Sequence, residues 1–165
     1  MKKAIILSII FFNILIQTTV LELAGILGVI PNTSLLLVIA FAMNLNPKEI
    51  IAYSLLTGII LDVLSGGIVG MNTFGFLVIA YFIFYVRVEL VKNSYLTSFI
   101  ISTLSIIAYN FITLFFVYVL GFAVRFRYFF SYATIIEIVY NGAVGMIIYF
   151  LFTQMYESRF KKEKY

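Results

Sequence analysis

The sequence predicts an all-α membrane protein built as a bundle of six transmembrane helices, and three observations lead to that fold class. Of the 165 residues, 64% are hydrophobic and only 11% are charged, whereas a soluble domain carries about 25% charged residues. Apolar runs close to the ~20 residues needed to cross the ~30 Å hydrocarbon layer recur along the chain. The segments between these runs are short, so residues 1–165 are expected to form a single transmembrane domain.

The six spans are predicted at residues 4–24, 31–46, 47–64, 72–90, 95–120 and 131–155, followed by a basic tail over residues 156–165. The first run follows Lys2 and Lys3, an arrangement that is also typical of a secretory signal. It is long, however, it contains Asn13 and Gln17, and further apolar runs follow it. It is therefore interpreted as the first span rather than as a cleaved leader.

Proline and asparagine set the limits of the second and third spans. Pro31 is suited to open the second helix. In the junction "NLNPKE", Asn46 can cap the third helix, Pro47 fits its first position and Glu49 completes a capping box. A single kinked helix over residues 31–64, which would reduce the number of spans to five, is the alternative.

Small and polar residues recur at helical spacing on four of the spans, the pattern by which helices associate in lipid. A spacing of three or four residues places each set on one helix face. These faces are expected to turn away from lipid and to form interhelical contacts. The sets are Asn13 and Gln17; Ser54, Gly58, Asp62 and Ser65; Ser98, Ser102, Ser105, Tyr109 and Thr113 with Asn110 beside them; and Thr134, Glu137, Asn141 and Gly145.

The distribution of basic residues predicts the orientation of the bundle, because cytoplasmic loops carry an excess of Lys and Arg. Nine basic residues fall on the side of the two termini and two fall on the other side. Both termini are therefore predicted to be cytoplasmic. The nine are Lys2, Lys3, Lys48, Arg87, Lys92, Arg159, Lys161, Lys162 and Lys164, and the two are Arg125 and Arg127.

The composition excludes several kinds of chemistry. The chain has no cysteine and no histidine, which removes disulfides, thiolate nucleophiles, the usual zinc sites and imidazole catalysis. The net charge of +4 comes from residues spread over loops and one tail rather than from a basic face, so no nucleic-acid partner is expected. No metal ion or cofactor is predicted.

Asp62 is the one acid in the apolar stretch "GIILDVLSGGIVGMNTFGF". It lies near the end of the third span, just before the Ser65-Gly66-Gly67 turn, where the helix dipole disfavours a negative charge. The free N–H groups at the start of the fourth span can instead bind the carboxylate. Asp62 is therefore predicted to join spans three and four, and lining a cavity or contacting a partner is the second interpretation.

Glu137 lies about two turns inside the sixth span, where an acid costs about 2.5–3.5 kcal/mol on insertion scales. It is expected either to face an outward-open cavity or to stay protonated. Asn110 and Asn141 are predicted to form interhelical hydrogen bonds or to line the same polar cavity. With Asp62, these three are the candidate binding residues, and no catalytic residue is predicted.

The loop "AVRFRYFFSY" carries Arg125 and Arg127 on the side that is poor in basic residues. Its interleaved Phe and Tyr suit the headgroup zone of a bilayer. The loop is interpreted as an interfacial segment whose arginines meet lipid phosphates, and the alternative is a docking edge for a membrane-anchored partner.

The motifs resemble those of the MreD family of bacterial rod shape-determining membrane proteins over nearly the whole chain. The resemblance is carried by "LIQTTVLELAGILGVIPN", "LLLVIAFAMNLNPKE", "GIILDVLSGGIVGMNTFGF" and "VYNGAVGMIIYFL", which occur in the expected order before a basic tail. The third-span motif is the most specific of the four. Asn32 departs from the pattern, since an acid usually follows the proline, but asparagine keeps the capping function. The two outer arginines lie outside the family pattern.

The resemblance implies a non-enzymatic scaffold of the cell-elongation machinery in the bacterial cytoplasmic membrane. Its implied partners are the lipid bilayer, an MreC-type protein with one membrane span and, indirectly, MreB filaments and peptidoglycan synthases; a homodimer within a larger complex is a further expectation. The implied fold is similar to the substrate-binding subunits of energy-coupling-factor transporters, with six helices around an outward-facing cavity.

Two other functions fit parts of the sequence. A vitamin-binding transporter subunit has the same size and number of helices, although such subunits present small-xxx-small faces and the first span offers only Ala4 and Ser8. An intramembrane enzyme could use Asp62 and Glu137 for acid–base chemistry. Neither acid, however, lies in a recognised catalytic motif such as GxGD.

Overall fold

The computed structural model describes residues 2–20, 25, 27–87, 94–122 and 131–161. These residues form six α-helices and contain no β-strand. The predicted all-helical class is therefore confirmed. The helices are α1 (Lys2–Leu15), α2 (Thr33–Asn44), α3 (Pro47–Ser65), α4 (Met71–Val86), α5 (Tyr95–Val119) and α6 (Tyr132–Tyr156), and π-helical turns follow α1 at Ile16–Val20 and α6 at Glu157–Lys161.

Two helices are long and apolar enough to cross a membrane by length and composition, Tyr95–Val119 and Tyr132–Arg159. The apolar helices Lys3–Thr19, Thr33–Asn44 and Met71–Val86 are shorter. The helix α2 begins at Thr33 instead of residue 31 and ends at Asn44 instead of residue 46. Its N-cap is Asn32, whose side-chain oxygen accepts a hydrogen bond from the Leu35 N–H, and a cap residue lies outside the helix that it closes.

The junction between α2 and α3 consists of two extended residues, Leu45 and Asn46. Asn46 caps α3 through the Glu49 N–H at 3.0 Å, and Pro47 occupies the first turn. A single kinked helix over residues 31–64 is therefore wrong, because the chain leaves the helical conformation at this point.

The centre of the fold is α2. Its residues from Thr33 to Met43 are all buried, and each of the other five helices contacts it. At 12 residues, α2 rises only ~18 Å along its axis. A helix that is apolar on every side belongs in an interior, and the surrounding helices enclose this short one.

Two of the predicted faces bring helices into close contact through glycine. A side chain at Gly58 of α3 would overlap the backbone of Thr73 in α4, and one at Gly145 of α6 would overlap Ser102 in α5. Small residues allow this close approach of helix backbones. One member of the third-span face differs from expectation, since Ser65 is exposed and donates a hydrogen bond to the Leu61 carbonyl of its own helix.

Candidate functional site

Asp62 lies in the last turn of α3, is only 3% exposed and accepts five hydrogen bonds from the start of α4. Its Oδ1 accepts from the backbone N–H and the side-chain amide of Asn72, both at 2.9 Å. Its Oδ2 accepts from the N–H of Gly70 at 3.0 Å and from the N–H and hydroxyl of Thr73 at 3.1 and 2.6 Å. Because Gly70 gives α4 no side-chain cap of its own, the carboxylate of Asp62 takes that role from the neighbouring helix.

Asn72 extends this contact to α5. The Tyr109 hydroxyl donates a hydrogen bond of 2.6 Å to the Asn72 Oδ1. The same tyrosine ring lies 3.0 Å from the position that a Cβ of Gly75 would occupy, so this glycine leaves room for it. A chain of hydrogen bonds thus runs from α3 through α4 to α5.

Glu137 and Asn110 are brought together between α6 and α5. The Asn110 Nδ2 donates to the Glu137 Oε2 at 3.0 Å, and the Glu137 residue is half-buried. Asn141, one turn along α6, donates to the Glu137 backbone carbonyl at 2.8 Å and accepts from the Asn32 N–H at 2.8 Å. Three of the four candidate residues therefore lie in one cluster that reaches the start of α2, while Asp62 lies in a separate one.

Polar residues of α1 and of the π-helical turn that follows it also reach the start of α2. The Asn13 amide donates to the Ser34 hydroxyl at 2.8 Å. Gln17 donates to the Pro31 carbonyl at 3.2 Å and accepts from the Thr33 hydroxyl at 2.6 Å. The first turn of α2, where backbone groups lack helical partners, is thus closed by side chains from α1 and α6.

These contacts form a polar belt that involves all six helices. It lies in one half of the bundle, at the C-terminal ends of α1 and α3 and the N-terminal ends of α2, α4 and α6. Within each cluster, its polar groups hydrogen-bond across helix boundaries, as buried polar groups generally do. The belt consists of Asn13, Gln17, Asn32, Thr33, Ser34, Asp62, Asn72, Thr73, Tyr109, Asn110, Glu137 and Asn141.

The opposite half of the bundle holds contacts that the sequence did not predict. The Arg87 Nη1 donates to the carbonyls of Ala42 and Leu45, at 2.8 and 2.6 Å, and so closes the C-terminal end of α2. The Asn44 amide donates to the Thr153 hydroxyl of α6 at 2.9 Å. The sequence identifies Arg87 only as a loop charge and carries no signal for its contact with α2.

Both acids of the belt take part in contacts between helices. Asp62 has both carboxylate oxygens bound by donors, and Glu137 is bound by Asn110 in a different part of the belt. Among the residues whose placement is described, no group of three or more Asp, Glu, His and Cys could hold a metal ion. A cavity-lining or partner-binding role for Asp62, Asn110, Glu137 and Asn141 stays a prediction. Arg125, Arg127, Lys92, Lys162 and Lys164 lie outside the described residues.

Residues 1–159 match the family described as rod shape-determining protein MreD. The chain belongs to the MreD family. The resemblance read from its motifs is thus confirmed. No curated protein and no solved structure matches the chain.

Membership of the MreD family gives this protein a place among the determinants of rod shape. The family is a membrane-associated one, with which the two long apolar helices agree. It is a family of shape-determining structural proteins. The vitamin-binding transporter alternative gains no support from this match.

Proposed function

We propose that this member of the MreD family is a non-enzymatic membrane scaffold of the cell-elongation machinery. In this role it binds an MreC-type single-span protein through lateral packing of transmembrane helices and biases peptidoglycan synthesis towards a cylinder. Its connection with MreB filaments and peptidoglycan synthases is indirect, and it pairs with itself within the larger complex.

The observation that carries the proposal is the polar belt. In an enzyme the acids would keep free oxygens directed at a substrate, whereas here the Asp62 carboxylate is consumed by the first turn of α4. Both hydrogen-bonded ends of α2 are likewise closed by neighbouring side chains. Such a rigid bundle suits a protein that holds others in position.

In this role the bundle lies in the bacterial cytoplasmic membrane, with six spans and both termini in the cytoplasm. The excess of basic residues on the side of the termini supports this orientation. The polar belt then lies in the outer half of the bilayer, and Arg87 lies at its inner surface. The proposed fold is similar to that of the substrate-binding subunits of energy-coupling-factor transporters.

The four candidate residues Asp62, Asn110, Glu137 and Asn141 have different roles in the scaffold. Of the four, Glu137 is the strongest candidate for a contact with the partner, because it is half-buried and Asn110 bonds only one of its carboxylate oxygens. Acidic residues inside transmembrane segments are rare and commonly mark functional sites. Asp62, Asn110 and Asn141 support the helix arrangement around it.

The test is depletion of the protein from a rod-shaped host, combined with purification in a mild detergent. Depleted cells are expected to become round, and an MreC-type protein is expected to co-purify with the tagged chain. Glu137→Gln should weaken this association, while Thr134→Ser, one turn away on the same helix, should leave it intact. Cells that stay rod-shaped, or a chain that purifies without an MreC-type protein, would contradict the proposal.

A further inference from the structure

A long apolar groove lies between α3 and α4 on the outside of the bundle. Its volume is about 880 Å³, and side chains of both helices line it. Along α4 it extends from Phe74, near the start of the helix, to Val86 at its end. At that end it meets Pro47 and Ile51, in the first two turns of α3.

The length of the groove matches one leaflet of a bilayer. Phe74 and Val86 are twelve positions apart, which corresponds to ~18 Å along a helix. Half of the ~30 Å hydrocarbon layer is ~15 Å. A hydrocarbon chain that follows the groove from Val86 would therefore end near the middle of the membrane.

The side chains of the groove favour a flexible hydrocarbon chain over a partner helix. Helices in lipid approach one another through small residues, but the groove is lined mainly by large ones, including Phe74, Tyr81 and Tyr85. The glycines of α3 and α4 that permit close approach are already used inside the bundle, where Gly58 packs on Thr73 and Gly75 packs on Tyr109. A backbone could not come close to this surface.

Two cations lie at the end of the groove marked by Val86. Arg87 follows it directly, and its guanidinium lies 4.3 Å from the ring centre of Phe84, which lines the groove. Its Nη1 bonds two carbonyls of the α2 end, and its Nε and Nη2 have no hydrogen-bond partner in the part of the chain that the structure describes. An arginine presents just such a pair of donors to a phosphate.

The second cation is Lys48. It is exposed and directly follows Pro47, which lines the groove. The Arg87 bond to the Leu45 carbonyl places the guanidinium within a few residues of Lys48. The apolar groove thus ends at two positive charges, which matches the order of an acyl chain and a phosphate headgroup in a lipid.

We propose that the α3–α4 groove is a binding site for an anionic phospholipid. The acyl chain lies along α4, and Arg87 and Lys48 bind the headgroup phosphate. In the topology proposed above the lipid belongs to the inner leaflet. The site is independent of any partner protein, because it requires only that the chain lies in a bilayer.

The test uses native mass spectrometry of the full chain in mild detergent. Three probes separate the parts of the ligand: phosphatidylglycerol, diacylglycerol with the same chains, and glycerol phosphate. Phosphatidylglycerol is expected to bind with one retained molecule, and the other two probes are expected to bind much more weakly. Equal retention of diacylglycerol would show that the cations do not bind phosphate and would overturn the proposal.

Matched variants locate the site. Lys48→Gln should weaken phosphatidylglycerol binding about five-fold, the effect of one basic residue near an anionic headgroup. Lys3→Gln removes the same charge from an exposed position of α1 and should leave binding unchanged. Equal weakening by both variants would mean attraction by net charge alone and would also refute the site.

A second pair of variants changes the shape of the groove instead of its charge. Ile51→Trp fills the groove and should abolish lipid retention, whereas Leu7→Trp, at a similarly exposed position of α1 (44% against 47%), should not. The melting temperature of both variants in detergent shows whether they are folded. If Ile51→Trp keeps the lipid but loses a co-purifying polypeptide, the groove binds a partner helix and the proposal is wrong.

Discussion

At the scale of single residues, Asp62 shows how an acid is held in an apolar bundle. Desolvation of a carboxylate is costly unless hydrogen bonds replace water, and here five donors from α4 surround it. All of these donors lie within a few residues of one another, from Gly70 to Thr73. The position before a glycine-rich turn therefore let the sequence predict this contact.

Asp62→Asn is expected to destabilise the protein by about 1–3 kcal/mol, because the new amide faces N–H donors in either orientation and leaves buried groups unpaired. If its Nδ2 replaces Oδ1 it meets the amide groups of Asn72, and if it replaces Oδ2 it meets the N–H groups of Gly70 and Thr73. Thermal unfolding in detergent measures this loss.

The matched control is Glu137→Gln, which makes the same chemical change in an acid with one side-chain hydrogen bond. A glutamine oxygen can still accept that bond from Asn110, so the loss of stability should be smaller. A greater loss in Glu137→Gln than in Asp62→Asn would contradict this account of the two acids.

At the scale of helices, the boundaries were predictable and the arrangement was not. Asn46 and Pro47 mark the start of α3 by local chemistry. Ser94 and Ser131 cap α5 and α6 in the same way. The central place of α2, in contrast, leaves no periodic pattern, because a helix that is buried on every side is apolar on every side. The contact of Arg87 with α2 joins residues 42 and 87, and pairing over such a distance in the chain is not visible in one sequence.

Gly58→Ala tests the close crossing of α3 and α4. The added methyl group would overlap the Thr73 backbone, and such overpacking costs about 1–3 kcal/mol. The two helices must separate, which also weakens the hydrogen bonds of Asp62. A lower melting temperature in detergent is the expected result.

Gly67→Ala serves as its control, since an added Cβ there would lie 4.0 Å from its nearest neighbour, the Ser65 hydroxyl. Its melting temperature should stay close to that of the unmodified protein. Equal effects of the two substitutions would contradict this account, because Gly67 lies in the turn after α3 and takes no part in the crossing.

At the scale of the whole molecule, fold class and family were predictable because they depend on features that extend over the chain. The excess of apolar residues indicated a membrane bundle, and the ordered motifs indicated the MreD family, which matches residues 1–159. The polar belt is predicted only in part: the sequence indicates interhelical hydrogen bonds for Asn110 and Asn141, but it gives no sign of the bond between Tyr109 and Asn72. For Glu137 it predicts a cavity-facing or protonated acid rather than the bond with Asn110. The contacts of the belt join residues of different helices, so they exist only once the helices pack together.

The proposed topology can be tested with single cysteines, because the chain has none of its own. A membrane-impermeant thiol reagent applied to intact cells should label Gly67→Cys, which lies in the exposed turn between α3 and α4. Ser158→Cys, exposed after α6, should react only after the cells are opened. Labelling of both positions in intact cells would place the C-terminus outside and contradict the orientation.

Because the other helices enclose α2, a change of membrane thickness affects α2 and the outer helices differently. The helices α5 and α6 have 25 residues each and measure ~37 Å. In the proposed topology they therefore tilt to fit bilayers thinner than themselves. No such adjustment is required of α2, since its neighbours and not the lipid determine its surroundings. A change of bilayer thickness therefore acts on the outer wall of the bundle and leaves its axis unstrained.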